Sequence, residues 1–519
     1  MVWPLPNKPL PIWMPRILLI ALPVLSLVVF LSYLVPQWRA FFTSDVFVFA
    51  NGWDEEFYLS RQGIIAFQDR PGYFPLHLNL ALHHLGLSAA QQNLIFDSIL
   101  PPVTAFLAFL TLKHLKVDTI RAIAYATLIC FGSVLFNAAS PLFRAILGHT
   151  RNATVWFMAG WEVYPSILRT PNPEIPFFLV ACAVYGFARF NRWWVLLLPL
   201  PMLYYHTAVA YAFIVVLAFS YNLLRSKYIP KSMHALLVAS VLTMTGMLAG
   251  HVALSWLQGL YQPDHIWRTD ASFLSETRRP QIPAGLIAMA IVFFSGIRLG
   301  WMRIEARMVA PIGILAIASL GTANIHLASG FMLSQKNYYD YGLSIVFALL
   351  VAIAIESIPV HVIRNATLAA VLVMVALLSH NSQRHWFQNG MQLSRELAPD
   401  IERLRADPTH AIIPKAELSA QVAFSTPLLL FPPISYSYVY PGMLDQCKQL
   451  PMLVKNALAF ATNHLSADSA ELKELQKWAT SIKGNSERYW QVKPDQSYCR
   501  DAGLEKDDFY FAGPGVPKP

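Results

Sequence analysis

The hydrophobic pattern of the chain is a series of long apolar segments separated by short polar ones. A helix needs about 20 apolar residues to cross a bilayer. Residues 193–224 are basic at both flanks and are interrupted by Pro199, Pro201 and a polar Tyr204, so they predict two short spans that meet near Tyr204. Nine further spans are predicted at 17–36, 94–112, 121–139, 174–190, 233–256, 283–298, 308–326, 341–358 and 362–379.

After residue 383 the pattern changes to that of a soluble domain. A helix-period segment is followed by short β-like runs and then by a second helical segment. These predicted elements lie at 390–406, 410–414, 421–431, 436–440 and 451–482. Such alternation is typical of a small α/β unit. The expected fold class is therefore mainly α, a polytopic bundle of about eleven transmembrane helices over residues 1–383 with a small α/β domain over 384–519.

The composition supports a membrane protein. Of the 519 residues, 55% are apolar and only 13% are charged, and the mean hydropathy is +0.43. The net charge of +9 does not predict a nucleic-acid partner, because the sequence has no Lys/Arg-rich run with interleaved aromatic residues. The excess of basic residues lies on short segments between spans, as in proteins whose cytoplasmic loops are basic. Membrane lipid is thus an expected partner, and nucleic acid is not.

The distribution of basic residues also predicts an orientation. Lys8 and Arg16 precede the first span, which is too long for a signal peptide and lacks a small-residue cleavage site, so the N-terminus is predicted to be cytoplasmic. The outer loops then cover about 38–93, 140–173, 257–282 and 327–340, and residues 384–519 are periplasmic. Compact loops and the absence of a eukaryotic retention signal favour a multi-pass protein of a bacterial inner membrane.

The four cysteines divide into two pairs. Cys130 and Cys182 lie within apolar segments, where cysteine is usually a small core residue. Cys447 and Cys499 lie in the polar C-terminal part and lack the spacing of metal ligands. If that part faces an oxidising compartment, we expect them to form a disulfide.

Three consecutive acids follow the first span in the segment Asn-Gly-Trp-Asp-Glu-Glu-Phe-Tyr. Asp54, Glu55 and Glu56 could begin a helix, since acids favour a first turn. A carboxylate at the membrane surface could instead accept a proton from a hydroxyl or hold a metal. On a helix, Asp54 shares a face with Tyr58, whereas Glu55 points about 100° away. The two neighbouring acids therefore cannot do the same job.

The motif Trp53-Asp54-Glu55, together with this arrangement of spans, loops and outer domain, resembles the C-type superfamily of integral-membrane glycosyltransferases. The resemblance implies transfer of a sugar, with inversion, from a polyprenyl-phosphate-linked donor to a glycan, lipid or protein acceptor at the outer face. Asp54 would be the base or a metal-binding acid, supported by Glu55 or Glu56. Glu162 would be the second acid. It stands alone rather than in an Asp-x-Asp pair, and a divalent metal ion is the one cofactor that the resemblance allows.

Other residues of the outer loops are candidates for binding substrate. A polyprenyl-phosphate leaving group is negatively charged, and arginine or lysine can hold it. The basic candidates are Arg169, Arg268, Arg278, Arg279 and Lys336. The aromatic candidates are Tyr58, Tyr338 and Tyr339, and Trp161 and Tyr164 flank Glu162. Surface contacts, interfacial aromatic belts and a cap at Asp340 are alternative explanations. The segment from Arg169 to Glu174 is either part of the site or a rigid loop before a helix that starts at Glu174.

Two other functions fit the same general description. A transporter or flippase would carry ionisable groups inside its spans, and the predicted spans are almost free of them. A polysaccharide polymerase with another membrane fold would have its large outer loop in mid-chain, whereas the largest outer block predicted here is C-terminal.

Overall fold

The structure is a computed structural model of the chain. It describes residues 13–43, 78, 81–82, 85, 87, 89–136, 155–156, 167, 174–203, 205–225, 281–325, 342–381, 411–414, 462–463, 466–469, 472–473, 476 and 509–512. The chain divides into two compact units. The first consists of Met1–Pro36, Phe96–Met244 and Ala271–His385, and the second of Gln37–Ile95, Thr245–Asp270 and Trp386–Pro519.

Helices dominate the described residues, which confirms the mainly α class. Their bounds are α1 (Trp13–Thr43), α2 (Ala89–His114), α3 (Thr119–Phe131), α4 (Glu174–Phe190), α5 (Tyr205–Arg225), α6 (Ala284–Arg298), α7 (Ala306–Ala323), α8 (Ser344–Glu356) and α9 (His361–Asn381). Each of these helices overlaps a predicted span, and α4 coincides with the predicted 174–190. The predicted span 233–256 lies outside the described residues.

Within the described residues, five helices are long and apolar enough to cross a membrane by length and composition. They lie in α1, α2, α5, α7 and α9. Their outward faces are apolar, as Ile20, Phe106 and Leu377 are each more than half exposed. Exposed apolar area costs about 25 cal/mol per Å² in water but nothing comparable against lipid. The chain therefore has the character of a multi-pass membrane protein.

Residues 193–224 form two segments on either side of position 204, as predicted, although the second is a full-length helix rather than a short span. Two 3₁₀ turns, Trp193–Leu197 and Leu200–Met202, are followed by the 21-residue helix α5. The turns run back along α5, since the Trp193 ring lies 5.3 Å from that of Phe219 and the Tyr211 hydroxyl donates to the Leu196 carbonyl at 2.8 Å. Two prolines, which lack N–H donors, explain why this returning segment is not a regular helix.

Helix α8 lies at the centre of the first unit and packs against α3, α6 and α7. Its Phe347 is fully buried, and the ring centroid is 5.2 Å from that of Phe136. A Cβ atom at Gly285, at the start of α6, would lie 2.8 Å from the Phe347 ring. The close approach of α6 to α8 therefore requires the glycine.

One end of the first unit collects basic side chains, and we call it the basic end. Here α8 ends and α3 and α9 begin, since Glu356 forms ion pairs with Arg121 and Arg364. The end of α2 lies here because Lys113 donates to Thr119 at the start of α3, and the connection from α6 to α7 lies here because the Arg303 N–H donates to the Ser357 carbonyl. The described basic residues at this end are Arg16, Lys113, Lys116, Arg121, Arg189, Arg192, Arg225, Arg298, Arg303, Arg307 and Arg364. All of them lie on segments predicted to be inside.

The opposite end of the first unit, the polar end, is where α3 and α7 finish and α5, α6 and α8 start. A Cβ atom at Gly342 would lie 3.1 Å from the His206 carbonyl oxygen, so α5 and α8 begin side by side. Asn324 after α7 bonds the backbone of Gln281 before α6, accepting from its N–H at 2.6 Å and donating to its carbonyl at 2.7 Å.

A short parallel sheet in the first unit joins two predicted outer loops. Strand β1 (Val155–Trp156) pairs with β2 (Ile282–Pro283), with Val155 opposite Ile282. Since β2 leads directly into α6, residues 155–156 also lie at the polar end. The pairing agrees with the prediction that residues 140–173 and 257–282 are on the same side of the membrane.

The second unit contains a parallel strand pair. Strand β3 (Ala411–Pro414) aligns with β4 (Phe509–Ala512), Ala411 opposite Phe509. The predicted strand at 410–414 is thereby confirmed, whereas β4 was not predicted. The α/β character of residues 384–519 as a whole stays a prediction.

Candidate functional site

The residues that the sequence singled out lie outside the part of the chain that the structure describes. This holds for Asp54, Glu55, Glu56, Tyr58, Glu162, Arg169, Arg268, Arg278, Arg279, Lys336, Tyr338 and Tyr339, and also for Cys447 and Cys499. Their roles stay predictions. The site that can be built from described residues is a group of polar side chains buried among the apolar helices at the polar end.

Two carboxylic acids form the centre of this group. Asp97 lies in the first third of α2, within the apolar sequence Leu-Ile-Phe-Asp-Ser-Ile-Leu, and is 1% exposed. Glu174 is the first residue of α4 and is 0% exposed. The predicted helix start at Glu174 is confirmed. A capping role alone does not require Glu174 to be buried, because a helix cap at a membrane surface can remain hydrated.

Tyr33 in α1 connects the two acids electrostatically. The carboxyl groups of Asp97 and Glu174 both act electrostatically on its buried hydroxyl. The ring lies in an aromatic group, tilted by 34° against the Phe131 ring at a centroid distance of 5.2 Å. The side chain is 1% exposed, and the hydroxyl has no hydrogen-bond partner among the described residues. Three helices, α1, α2 and α4, therefore each contribute one buried polar side chain to this group.

Further buried polar residues lie at the same end of the unit. His206 and Thr207 start α5, Ser344 starts α8, and Gln281 precedes α6. His206 is 2% exposed. A polar residue in an apolar bundle is costly unless it is hydrogen-bonded or functional. Their concentration at one end marks this end as the candidate functional face.

The described residues supply no metal site of their own. Among them, no group of three or more His, Cys, Asp or Glu side chains lies close enough together to hold a metal ion. The acids that the resemblance implies as metal ligands, Asp54 and Glu162, are outside the described part. A metal held there stays a prediction.

Sequence reasoning missed Asp97 and Glu356 although a signal for both was present. Each is an acid within a predicted apolar span, at 94–112 and 341–358 respectively. Describing the predicted spans as almost free of charged residues left these two acids without separate consideration. An isolated acid in an apolar span is itself an indication of function or of a buried ion pair.

Comparison with known proteins adds no assignment: no protein-family model matches the chain, and no curated protein sequence matches it.

Proposed function

We propose that the protein is a membrane glycosyltransferase that moves a sugar from a polyprenyl-phosphate donor to a glycan, lipid or protein acceptor at the outer face of a bacterial inner membrane. The observation that supports the proposal best is the separation of charge and polarity in the first unit. Basic side chains gather at one end, and the buried carboxyls Asp97 and Glu174 lie at the other. By the positive-inside rule the basic end faces the cytoplasm, so the polar end faces outward.

The proposed topology extends this arrangement to the whole chain. Eleven spans place the N-terminus inside and residues 384–519 outside as a periplasmic α/β domain. In this topology α1 leads to the outer side, and Asp54 follows its last residue, Thr43, by eleven positions. Eleven residues span at most about 35 Å, so we propose that Asp54 lies close to the outer membrane surface.

The proposed chemistry is a single displacement at the anomeric carbon of the sugar. Asp54, supported by Glu55 or Glu56, accepts the proton of the acceptor hydroxyl, and the oxygen forms a bond to the anomeric carbon. The bond from that carbon to the phosphate oxygen breaks at the same time, so the configuration inverts and polyprenyl phosphate leaves. The negative charge on the phosphate is stabilised by basic side chains, with Arg169, Arg268, Arg278, Arg279 and Lys336 as candidates. The candidates for binding the sugar are Tyr58, Glu162, Tyr338 and Tyr339.

The test is mass spectrometry of cell-envelope glycans, lipids and glycoproteins from cells with and without the gene, followed by complementation. Asp54→Asn is expected to lower product formation at least about a hundredfold, because the base is lost and the shape is kept. The matched control is Asp118→Asn. Asp118 caps α3 by accepting from the N–H groups of Ile120 and Arg121 at 3.0 and 3.3 Å.

Asparagine caps a helix nearly as well as aspartate. If Asp54 were only a helix start, both variants would restore the product equally, and the catalytic role of Asp54 would be lost. If deletion of the gene removed no sugar from any envelope component, the transferase proposal itself would fail.

A transporter or flippase is the second candidate, because Asp97 is an acid buried within an apolar helix, as in many transporters. The same glycan comparison separates the two functions. Loss of a transferase leaves an acceptor that lacks one sugar residue. Loss of a flippase instead removes complete units from the outer face and leaves the lipid-linked unit intact inside.

A further inference from the structure

The basic end contains a second buried polar cluster, formed by α3, α8 and α9. Glu356, the last residue of α8, accepts from the guanidinium groups of Arg121 and Arg364, each at 3.1 Å. The Tyr125 hydroxyl donates to the other Glu356 oxygen at 2.7 Å. Arg364 also contacts the Nδ1 atom of His361 and approaches the Glu356 carbonyl oxygen at 3.5 Å. We call these five residues the Glu356 cluster.

The charges of the Glu356 cluster do not cancel. Two guanidinium groups face one carboxylate, which leaves an excess of one positive charge even with a neutral His361. Arg364 is nine-tenths buried, and its Nε–H has no acceptor among the described residues. Buried donors are almost always paired in folded proteins. The cluster therefore has both the charge and a free donor with which to bind an anion.

The surroundings of the cluster indicate the depth at which an anion would bind. The Arg303 N–H donates to the carbonyl of Ser357, next to Glu356, at 2.8 Å, so the connection between α6 and α7 lies beside the cluster. In that connection Trp301 is 61% exposed. Exposed tryptophan is characteristic of the membrane–water interface, where lipid phosphates are found. Arg121 keeps 21% of its side chain exposed, which leaves a route from that interface to the cluster.

We propose that Arg121 and Arg364 bind the phosphate of an anionic phospholipid at the basic end of the helices. The phosphate oxygens accept from the guanidinium groups that Glu356 satisfies only in part. Basic pockets between transmembrane helices bind anionic headgroups in this way. This inference does not depend on the proposed glycosyl transfer.

The alternative is that the cluster is only an internal tie between helices. The two roles predict different effects of Glu356→Gln, which removes the neutralising charge and keeps the side-chain shape. If the cluster only links the helices, Glu356→Gln lowers the stability of the protein and leaves lipid binding unchanged. A phosphate site gains a positive charge, so its affinity for an anionic headgroup stays the same or rises.

The experiment measures lipid binding to the full-length protein in a neutral detergent, by native mass spectrometry and by titration with short-chain lipids. Phosphatidylglycerol is compared with phosphatidylcholine and with inorganic phosphate. We expect Arg121→Gln and Arg364→Gln to weaken phosphatidylglycerol binding about tenfold each, since each removes a charge-assisted hydrogen bond. Glu356→Gln should bind at least as tightly as the wild type.

The matched control is Arg307→Gln, which removes a positive charge from the same end but from outside the cluster. Arg307 is 76% exposed and pairs with Glu305. We expect a change of less than about twofold, because exposed charges are screened by solvent. Should Arg364→Gln not fold, Arg121→Gln decides, as its side chain is more exposed.

Three results would overturn the proposal. Equal phosphatidylglycerol binding by the wild type, Arg121→Gln and folded Arg364→Gln would show that the cluster binds no lipid. An equal loss in Arg307→Gln would show a general effect of charge. Binding of inorganic phosphate without a preference for phosphatidylglycerol over phosphatidylcholine would assign the cluster to a soluble anion instead.

Discussion

At the scale of single residues, two tyrosines show how the same side chain takes different roles in the apolar helices. The Tyr211 hydroxyl donates to the Leu196 carbonyl at 2.8 Å and ties α5 to the returning 3₁₀ segment. The Tyr33 hydroxyl is buried, feels the charges of Asp97 and Glu174, and has no hydrogen-bond partner among the described residues. A buried hydroxyl that lacks a hydrogen bond costs about 1–3 kcal/mol. The hydroxyl group of Tyr33 therefore does not stabilise the folded protein through a described hydrogen bond.

We expect Tyr33→Phe to leave the free energy of unfolding unchanged or to raise it by up to about 1 kcal/mol, because the ring and its aromatic contacts remain. Tyr211→Phe is the control and should lower the free energy of unfolding by about 0.5–1.5 kcal/mol, since it removes a hydrogen bond. Reversible unfolding in detergent micelles measures both. A loss for Tyr33→Phe as large as that for Tyr211→Phe would mean that the Tyr33 hydroxyl is hydrogen-bonded in the folded protein.

At the scale of secondary-structure elements, glycines set the distances between helices. Gly285 lets α6 approach the fully buried Phe347 of α8, where a Cβ atom would be 2.8 Å from the ring. Gly313 in α7 has open space around it, with nothing within 4 Å of the position of a Cβ atom. Both are glycines in apolar helices, so sequence alone does not distinguish them. The neighbouring helix does.

The two glycines give a matched pair of substitutions. Gly285→Ala is expected to destabilise the protein by about 1–3 kcal/mol, because the added methyl group overpacks the contact with Phe347. Gly313→Ala should be neutral or stabilising by up to about 1 kcal/mol, as alanine is the better helix former. Thermal denaturation in detergent, monitored by size-exclusion chromatography, measures which of the two variants is the more stable. The reverse order would show that α6 and α8 do not pack as described.

At the scale of the whole molecule, helix direction and charge together lead to a prediction of orientation. Among the described helices, α5, α6 and α8 start at the polar end and α3, α7 and α9 start at the basic end, and the pairing of β1 with β2 places two predicted outer loops on one side. An excess of arginine and lysine near span ends favours the cytoplasmic side. With eleven spans, residues 384–519 follow as periplasmic.

An alkaline phosphatase fused to the C-terminus of the full chain is expected to be active, whereas a cytoplasmic reporter at the same place should be silent. The control is an insertion of the same reporters between α6 and α7, at the basic end, where the activities should be reversed. An inactive phosphatase at the C-terminus with the expected result at the control site would mean that the span count is wrong. Reversal at both sites would invert the protein and place Asp54 in the cytoplasm.

The sequence by itself determined where the helices lie. The positions of α1 to α9 follow from the length and continuity of apolar segments, which are local properties, and the start of α4 was predicted to the residue. The same reasoning was less accurate where local chemistry is ambiguous. It expected two short spans in residues 193–224, and the chain does divide near residue 204, but the first segment consists of 3₁₀ turns and the second, α5, is 21 residues long.

Tertiary structure alone decided which residues meet. Arg121 and Glu356 are 235 positions apart in the chain, and although Glu356 is a conspicuous acid in an apolar span, nothing in its local sequence identifies Arg121 as its partner. Tyr33, Asp97 and Glu174 come from three helices and form one cluster only because those helices pack at the polar end. Helix positions are encoded in contiguous residues, whereas contacts between helices depend on which faces fit together. The local segments of a single sequence do not show which helix faces pack against each other.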